Sequence, residues 1–120
     1  MEQQQVLLVE DDRSLAHLIA RGLENAGLGV TTTDSSVDAI LQLQRGRYSV
    51  ILLDIILSGS SGVYVVDALR DLRPDERPKV VVITGARGNI LSTLDRTIVK
   101  AVLFKPLDVP SLTAYVKSLV

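Results

Sequence analysis

Short apolar runs alternate along the chain with longer segments in which apolar residues recur every three or four positions. A run of four to six largely apolar residues bounded by polar ones indicates a strand buried on both faces. The pattern predicts five strands, at residues 6–9, 30–33, 50–53, 79–84 and 101–104. The second of these is the weakest, because it is mostly threonine.

The segments between the runs have helical periodicity. Apolar positions that would face a core are Leu15, Leu18, Ile19, Leu23 and Ala26 in the first helix, Val37, Ile40, Leu41 and Leu43 in the second, Val63, Val66, Leu69 and Leu72 in the third, and Leu112, Tyr115, Val116 and Leu119 in the last. A fourth helix is predicted from residue 90 to about residue 97. Gly27 suits a left-handed helix end, and Pro110 suits a first turn. Residues 58–62, rich in Ser and Gly, predict a flexible loop.

Strand and helix alternate five times, which predicts an α/β fold. Connections of this length require a parallel sheet, and right-handed crossovers make it doubly wound, with helices on both faces. The length of 120 residues suits one domain, residues 1–120.

Composition narrows the functional classes. The chain is 47% hydrophobic but only 3% aromatic, so its core must be built from aliphatic residues. A net charge of −1 gives no broad positive field for nucleic acid or an anionic membrane. Cysteine is absent, which rules out thiolate chemistry. There is no signal-peptide pattern and no apolar run of about 20 residues, so we expect a cytoplasmic protein.

Polar residues end or directly follow four of the five predicted strands. Ligands of open parallel sheets bind at the carboxyl ends of the strands, so these residues are the candidates for chemistry. They are Glu10, Asp11 and Asp12 after the first strand, Asp54 after the third, Thr84 in the fourth, and Lys105 after the fifth. Neighbouring carboxylates repel one another unless a cation neutralises them. Oxygen ligands without Cys or a nearby His favour Mg²⁺.

Two of these polar groups also have ordinary structural interpretations. Asp12 is best placed to cap the first helix. His17, the single histidine, has no partner at ligand spacing and is expected to be structural.

In this order and at these strand ends, the residues resemble the receiver domain of bacterial response regulators. The matching features are Val9-Glu10-Asp11-Asp12, Leu53-Asp54, Gly59 and Gly62, Thr84, and Lys105-Pro106. The resemblance covers essentially the whole chain. It implies a flavodoxin-like, receiver-type sheet and a phosphorylation-controlled signalling switch.

The resemblance also assigns roles to individual residues. Asp54 would be the phosphoacceptor. Mg²⁺ would be held by Glu10, Asp11, Asp54 and the backbone carbonyl of Ile56. The phosphoryl oxygens would be bound by Lys105, by the Thr84 hydroxyl and by a backbone amide near Gly85. The Lys105–Pro106 peptide bond would be cis.

Two positions depart from the family pattern. Val102 stands where many receivers have an aromatic switch residue, and Ser58 stands where a proline is frequent. Ile56 and Ala86 occupy the positions that flank the path of a hydrolytic water. Neither of the last two side chains can hydrogen-bond water, which predicts a long-lived phosphorylated state.

The partners implied are a histidine kinase or phosphotransfer protein as donor, and a downstream protein or covalently linked effector domain as reader. A phosphorylation-dependent dimer is a further alternative. Such a domain is not an enzyme, although it phosphorylates itself from small donors and dephosphorylates itself. Two rivals remain open. A phosphohydrolase of the haloacid dehalogenase type expects an Asp two residues after the nucleophile, where this chain has Ile56. A pseudo-receiver would only bind a partner.

Overall fold

A computed structural model describes residues 3–57, 59–85 and 89–120. Its main sheet has five parallel strands, β1 (Gln5–Val9), β2 (Gly29–Thr33), β3 (Val50–Leu53), β6 (Lys79–Thr84) and β7 (Val99–Phe104). Their order across the sheet is β2-β1-β3-β6-β7. The remaining two, β4 (Ile56–Leu57) and β5 (Ser60–Ser61), form a small antiparallel hairpin after β3. The doubly wound parallel sheet predicted from the sequence is confirmed.

Helices cover both faces of the sheet. They are α1 (Arg13–Asn25), α2 (Ser36–Arg45), α3 (Val63–Leu69), α4 (Asn89–Ser92) and α5 (Val109–Leu119), with a 3₁₀ turn at Pro74–Glu76. One aliphatic cluster joins the sheet to α1 and α5 through residues such as Ile19, Leu23 and Leu112. The other joins it to α2 and α3 through Ala39, Val66 and Leu69. Two such layers explain why β1 and β3 are apolar at consecutive positions.

Local sequence signals set several helix ends, and two of them, the Asp12 cap and Gly27, were predicted. Asp12 Oδ1 accepts a hydrogen bond from the Leu15 amide at 3.1 Å, so Asp12 is an N-cap. Ser35 Oγ accepts one from the Asp38 amide at 3.0 Å and caps α2 in the same way. Gly27, two residues after the end of α1, has φ +92°, the left-handed conformation that often terminates a helix.

Three predicted elements differ from the structure. α3 ends at Leu69, before Pro74, and so leaves out Leu72; Arg77 Nε donates to the carbonyls of Leu69 and Leu72 at this end. α4 is one turn long and does not reach residue 97. There the carboxylate of Asp95 accepts from the amide and hydroxyl of Thr97, which replaces helical bonding by a side-chain turn.

The predicted loop at residues 58–62 is the third difference. Its described part contains β5, which pairs with the preceding β4 to form the hairpin, with Ile56 opposite Ser61. Ser58 itself lies outside the described residues. Within the described ranges, we find no helix long and apolar enough to cross a membrane.

Candidate functional site

The register of the sheet brings two acidic residues side by side. β1 and β3 are neighbours in which Val9 pairs with Leu53, so Glu10 and Asp54 leave the sheet at the same edge. The Asp54 amide donates to the Val9 carbonyl at 3.0 Å, which continues the ladder past the last paired residues. Both acidic residues are almost fully buried, with 3% of each exposed.

Asp11 completes an acidic cluster with Glu10 and Asp54. One carboxylate oxygen from each residue lies within 4.8 Å of the other two. Asp12 points elsewhere, since its side chain caps α1, but its amide donates to Glu10 Oε2 at 3.2 Å and helps to fix that carboxylate. The three-acid cluster predicted from the sequence is therefore Glu10, Asp11 and Asp54, without Asp12.

Lys105 reaches the cluster from the other side of the site. β7 pairs with β6, and the Lys105 amide donates to the Thr84 carbonyl at 2.9 Å just beyond the paired residues. Lys105 Nζ lies 2.8 Å from Asp54 Oδ2 and 2.6 Å from Glu10 Oε1. The Lys105–Pro106 bond is cis, as predicted.

Burial and charge perturb two groups of this site. Desolvation raises the pKa of Glu10, and hydrogen bonds from Lys105 and the Asp12 amide only partly offset this. For Lys105, burial alone would lower the pKa of the ammonium, but its hydrogen bonds to Asp54 and Glu10 outweigh burial and raise it. One ammonium is thus shared between two carboxylates.

The residues present fit a divalent cation. Glu10 Oε1 is buried, and its contact with Lys105 Nζ at 2.6 Å uses only one of its two lone pairs. A buried carboxylate oxygen in that state retains capacity for another positive ligand. With oxygen donors from Asp11 and Asp54 close by, the donor set is one that Mg²⁺ prefers.

The turn after Asp54 presents the backbone to the site. The Ile56 amide donates to Asp54 Oδ1 at 2.9 Å, so both oxygens of Asp54 have a donor. The Ile56 side chain is 54% exposed, whereas Leu57 is buried. Ile56 therefore lies on the solvent-exposed side of the turn that follows Asp54.

The remaining predicted residues lie around the same edge. Thr84 is fully buried at the end of β6, and Gly85 is exposed immediately after it. Val102 is partly buried and packs against the cluster under α2 and α3, while Phe104 is 38% exposed on the edge strand β7. Ala86 falls outside the described residues. His17 is exposed on α1, in keeping with a structural role.

Two features of the site were missed from the sequence. The ion pair between Lys105 and Glu10 was not predicted, because only tertiary structure brings these residues together. Ser61 was also overlooked, although its hydroxyl donates to the Ile55 carbonyl and accepts from the Val63 amide. A serine just before a helix start is a recognisable capping signal and could have indicated it.

Comparisons with known proteins decide the family. The sequence profile described as response regulator receiver domain matches residues 6–117. The chain belongs to this family. A curated relative is YkoG of Bacillus subtilis, an uncharacterized transcriptional regulatory protein, 30% identical over 98% of this chain and 51% of its own length. This receiver domain spans about half the length of the curated relatives it matches.

Solved structures give the same fold. The receiver domain of a LuxO-type repressor protein from Vibrio parahaemolyticus is 27% identical, with a TM-score of 0.86 over 98% of this chain and 90% of that one. TrrA of Thermotoga maritima, solved with Mg²⁺ and BeF, has a TM-score of 0.83 over 98% of this chain and 100% of that one, and its 24% identity supports the fold alone. Receiver domains are phosphoacceptor signalling modules of two-component systems, not conventional enzymes.

Proposed function

We propose that Asp54 is the residue that receives the phosphoryl group. The observation that carries this proposal is the position of its carboxylate, buried at the sheet edge between Glu10, Asp11 and the ammonium of Lys105. In the transfer, a carboxylate oxygen of Asp54 forms a bond to phosphorus while the bond from phosphorus to the donor's nitrogen or oxygen breaks. The product is an aspartyl phosphate and the free donor.

The surrounding residues have separate roles in this proposal. Lys105 binds one phosphoryl oxygen and replaces its contact with Asp54 by a contact with the transferred group. The Thr84 hydroxyl and the Gly85 amide bind another oxygen. Fixed donors around the transferring charge are the main source of catalysis in phosphoryl transfer.

Glu10, Asp11, Asp54 and the carbonyl of Ile56 are proposed to hold Mg²⁺. When bound, this ion offsets negative charge on both the acceptor and the donor phosphoryl group. The acidic cluster of this chain supports that assignment. TrrA, which shares the fold, was solved with Mg²⁺ and BeF, which is in keeping with it.

The biological donor is proposed to be a histidine kinase or phosphotransfer protein in the cytoplasm, with small acyl phosphates as chemical substitutes. The reader is a separate protein or a covalently linked effector domain, and a phosphorylation-dependent dimer is a further form of output. The relative YkoG is described as a transcriptional regulatory protein, and this chain matches only 51% of its length. This favours a covalently linked effector domain as the reader. The receiver itself, with a net charge of −1, is not expected to bind nucleic acid.

Intact-mass spectrometry tests the acceptor assignment. Acetyl phosphate with Mg²⁺ should add one phosphoryl mass to the wild type and none to Asp54→Asn. Asp75→Asn, an exposed aspartate on the 3₁₀ turn, is the matched control and should be modified normally. Full modification of Asp54→Asn would refute the assignment.

The two rivals predict different outcomes of the same incubation. A phosphohydrolase would consume acetyl phosphate over many turnovers without retaining the group, and a pseudo-receiver would neither retain nor consume it. Ile56, where the phosphohydrolase expects an Asp, argues against the first rival, and the buried acidic cluster with Lys105 in contact argues against the second.

A further inference from the structure

The loop that begins at Asp54, after β3, returns to its first residues at Gly62, eight positions later. The Gly62 amide donates to the Ile55 carbonyl at 3.0 Å. The Ser61 hydroxyl donates to the same carbonyl at 3.3 Å. The far end of the loop is therefore tied to the residue that directly follows Asp54.

Gly62 touches the acceptor backbone so closely that it leaves no room for a side chain. A Cβ atom on Gly62 would lie 2.7 Å from Ile55 Cα and would overlap the Asp54 carbonyl oxygen. Both are backbone atoms, so no change of rotamer can relieve the overlap. Gly62 has φ −65°, which any residue can adopt, so glycine is required here for space and not for its torsion angles.

Ser61 connects this contact to the next helix. Its hydroxyl oxygen accepts from the amide of Val63, the first residue of α3, at 3.2 Å. One side chain thus links the Ile55 carbonyl to the start of α3. Because α3 buries Val65, Val66 and Leu69 against the sheet, the link anchors the loop to the core.

We infer that Gly62 and Ser61 are positioning residues for the phosphoacceptor site. They hold the backbone of residues 54–56 where the Asp54 carboxylate faces Lys105 and the Ile56 carbonyl can join the acidic cluster. This inference rests on the proposed function. An alanine at Gly62 would have to move the loop by about 1 Å to regain normal contact distances. Misplacement of that size can slow an oriented reaction by ~10²-fold.

Gly62→Ala tests the inference through a property that is independent of phosphoryl transfer. Titration calorimetry with Mg²⁺ alone should show affinity at least ~10-fold weaker than wild type, the usual cost of disturbing a ligand's support. Phosphorylation by acetyl phosphate should slow by ~10²-fold. Amide exchange at residues 54–57 should accelerate in the metal-free protein.

Two other glycines separate positioning from general destabilisation. A Cβ at Gly22 would lie 2.8 Å from Thr113 Oγ1, between α1 and α5. Gly22 lies roughly 15 Å along α1 from Asp12, so Gly22→Ala should lower stability and leave Mg²⁺ affinity unchanged. Gly46→Ala, whose Cβ would meet only ordinary contacts at 3.5 Å, should change neither property.

A pair of milder substitutions keeps the inference testable if Gly62→Ala does not fold. Ser61→Ala should weaken Mg²⁺ binding, and Ser61→Thr, which retains the hydroxyl, should restore it. Wild-type Mg²⁺ affinity in folded Gly62→Ala or in Ser61→Ala would overturn the inference. A wild type that neither binds Mg²⁺ nor accepts the phosphoryl group would instead refute the proposed function.

Discussion

The ammonium of Lys105 is the shared counter-ion of two carboxylates that are buried side by side. Its Nζ lies within 2.8 Å of an oxygen of both Glu10 and Asp54, and the Glu10 side chain has 0% exposure. Removing one partner of a buried ion pair strongly destabilises the fold, because the remaining charges stay desolvated without a counter-ion. Lys105 is therefore a structural counter-ion of the metal-free site as well as a proposed phosphoryl ligand.

Lys105→Met should lower the free energy of unfolding by about 2–3 kcal/mol in metal-free buffer, below the full cost of a buried pair because the Lys105 side chain is partly exposed. Mg²⁺ should restore part of this loss by taking over the neutralisation of Glu10 and Asp54. Urea denaturation with and without Mg²⁺ measures both effects. Lys100→Met, at an exposed position in β7, is the control and should change stability little. Equal losses in the two variants would contradict the counter-ion role.

Ile56 determines a second residue-level prediction, the lifetime of the phosphorylated state. Ile56 lies two residues after the proposed acceptor Asp54, is 54% exposed, and has a side chain that offers no hydrogen bond to an attacking water. Ile56→Asn should accelerate phosphoryl loss by about tenfold or more, which requires only ~1.4 kcal/mol of barrier lowering. The decay is followed by intact mass in excess Mg²⁺. Val37→Asn, at an apolar residue of α2 that is 69% exposed, is the control. A wild type that decays as fast as Ile56→Asn would refute the prediction.

At the scale of elements, the sequence predicts best where local and tertiary preferences agree. α1 follows its leucine periodicity from the Asp12 cap to the left-handed Gly27, and β3 follows its four apolar residues. The β4–β5 hairpin was missed because its two-residue strands are too short to show a period. Its closure depends on contacts of Gly62 with Asp54 and Ile55, which no sequence pattern displays.

α4 shows how one side chain can override periodicity. Its apolar spacing favours a helix to residue 97. In the structure, the Thr97 amide donates instead to Asp95 Oδ1, at 2.9 Å, and so makes no helical hydrogen bond. Asp95 Oδ2 also accepts from Arg70 Nε, at 3.1 Å, just after α3. Asp95 thereby joins the segment before β7 to the end of α3.

Asp95 gives a prediction about pH. Hydrogen bonds from the Thr97 hydroxyl and amide, followed by that from Arg70, lower its pKa from the ordinary 3.8 to about 2. Folding favours the ionised form of Asp95. The stabilisation of the fold by this carboxylate is therefore complete well above pH 3.8 and is lost as the pH falls through about 2. The stability difference between wild type and Asp95→Asn should therefore shrink over that range. Urea unfolding at several pH values measures the difference. An NMR titration of the Asp95 carboxyl with a midpoint at or above 3.8 would contradict the assignment.

For the whole molecule, the sheet order creates the candidate site. Lys105 and Asp54 are 51 positions apart in sequence, and they meet because β3 and β7 both pair with β6. The sequence predicted which residues share this edge, since strand ends are recognisable. Their distances and burial depend on the packing of all five strands between two layers of helices.

A site assembled only by the complete fold should couple cation binding to global stability. Unfolding separates Glu10 and Asp11 from Asp54, so a cation held at the proposed site should bind the native state in preference to the unfolded one. At a concentration ten times the dissociation constant, one such ion stabilises the fold by about 1.4 kcal/mol. For a domain of this size, that should raise Tm by roughly 5 °C.

Thermal unfolding followed by far-ultraviolet circular dichroism measures this rise in Tm. NaCl at equal ionic strength should not reproduce it, because general screening does not bridge the three carboxylates. Asp11→Asn combined with Asp54→Asn should abolish the Mg²⁺-dependent rise, since two of the three clustered ligands lose their charge. Asp75→Asn, at the exposed 3₁₀ turn, should retain it in full. If Mg²⁺ stabilised the double variant as much as the wild type, the cation would be binding elsewhere, and the assignment of the cluster would fail.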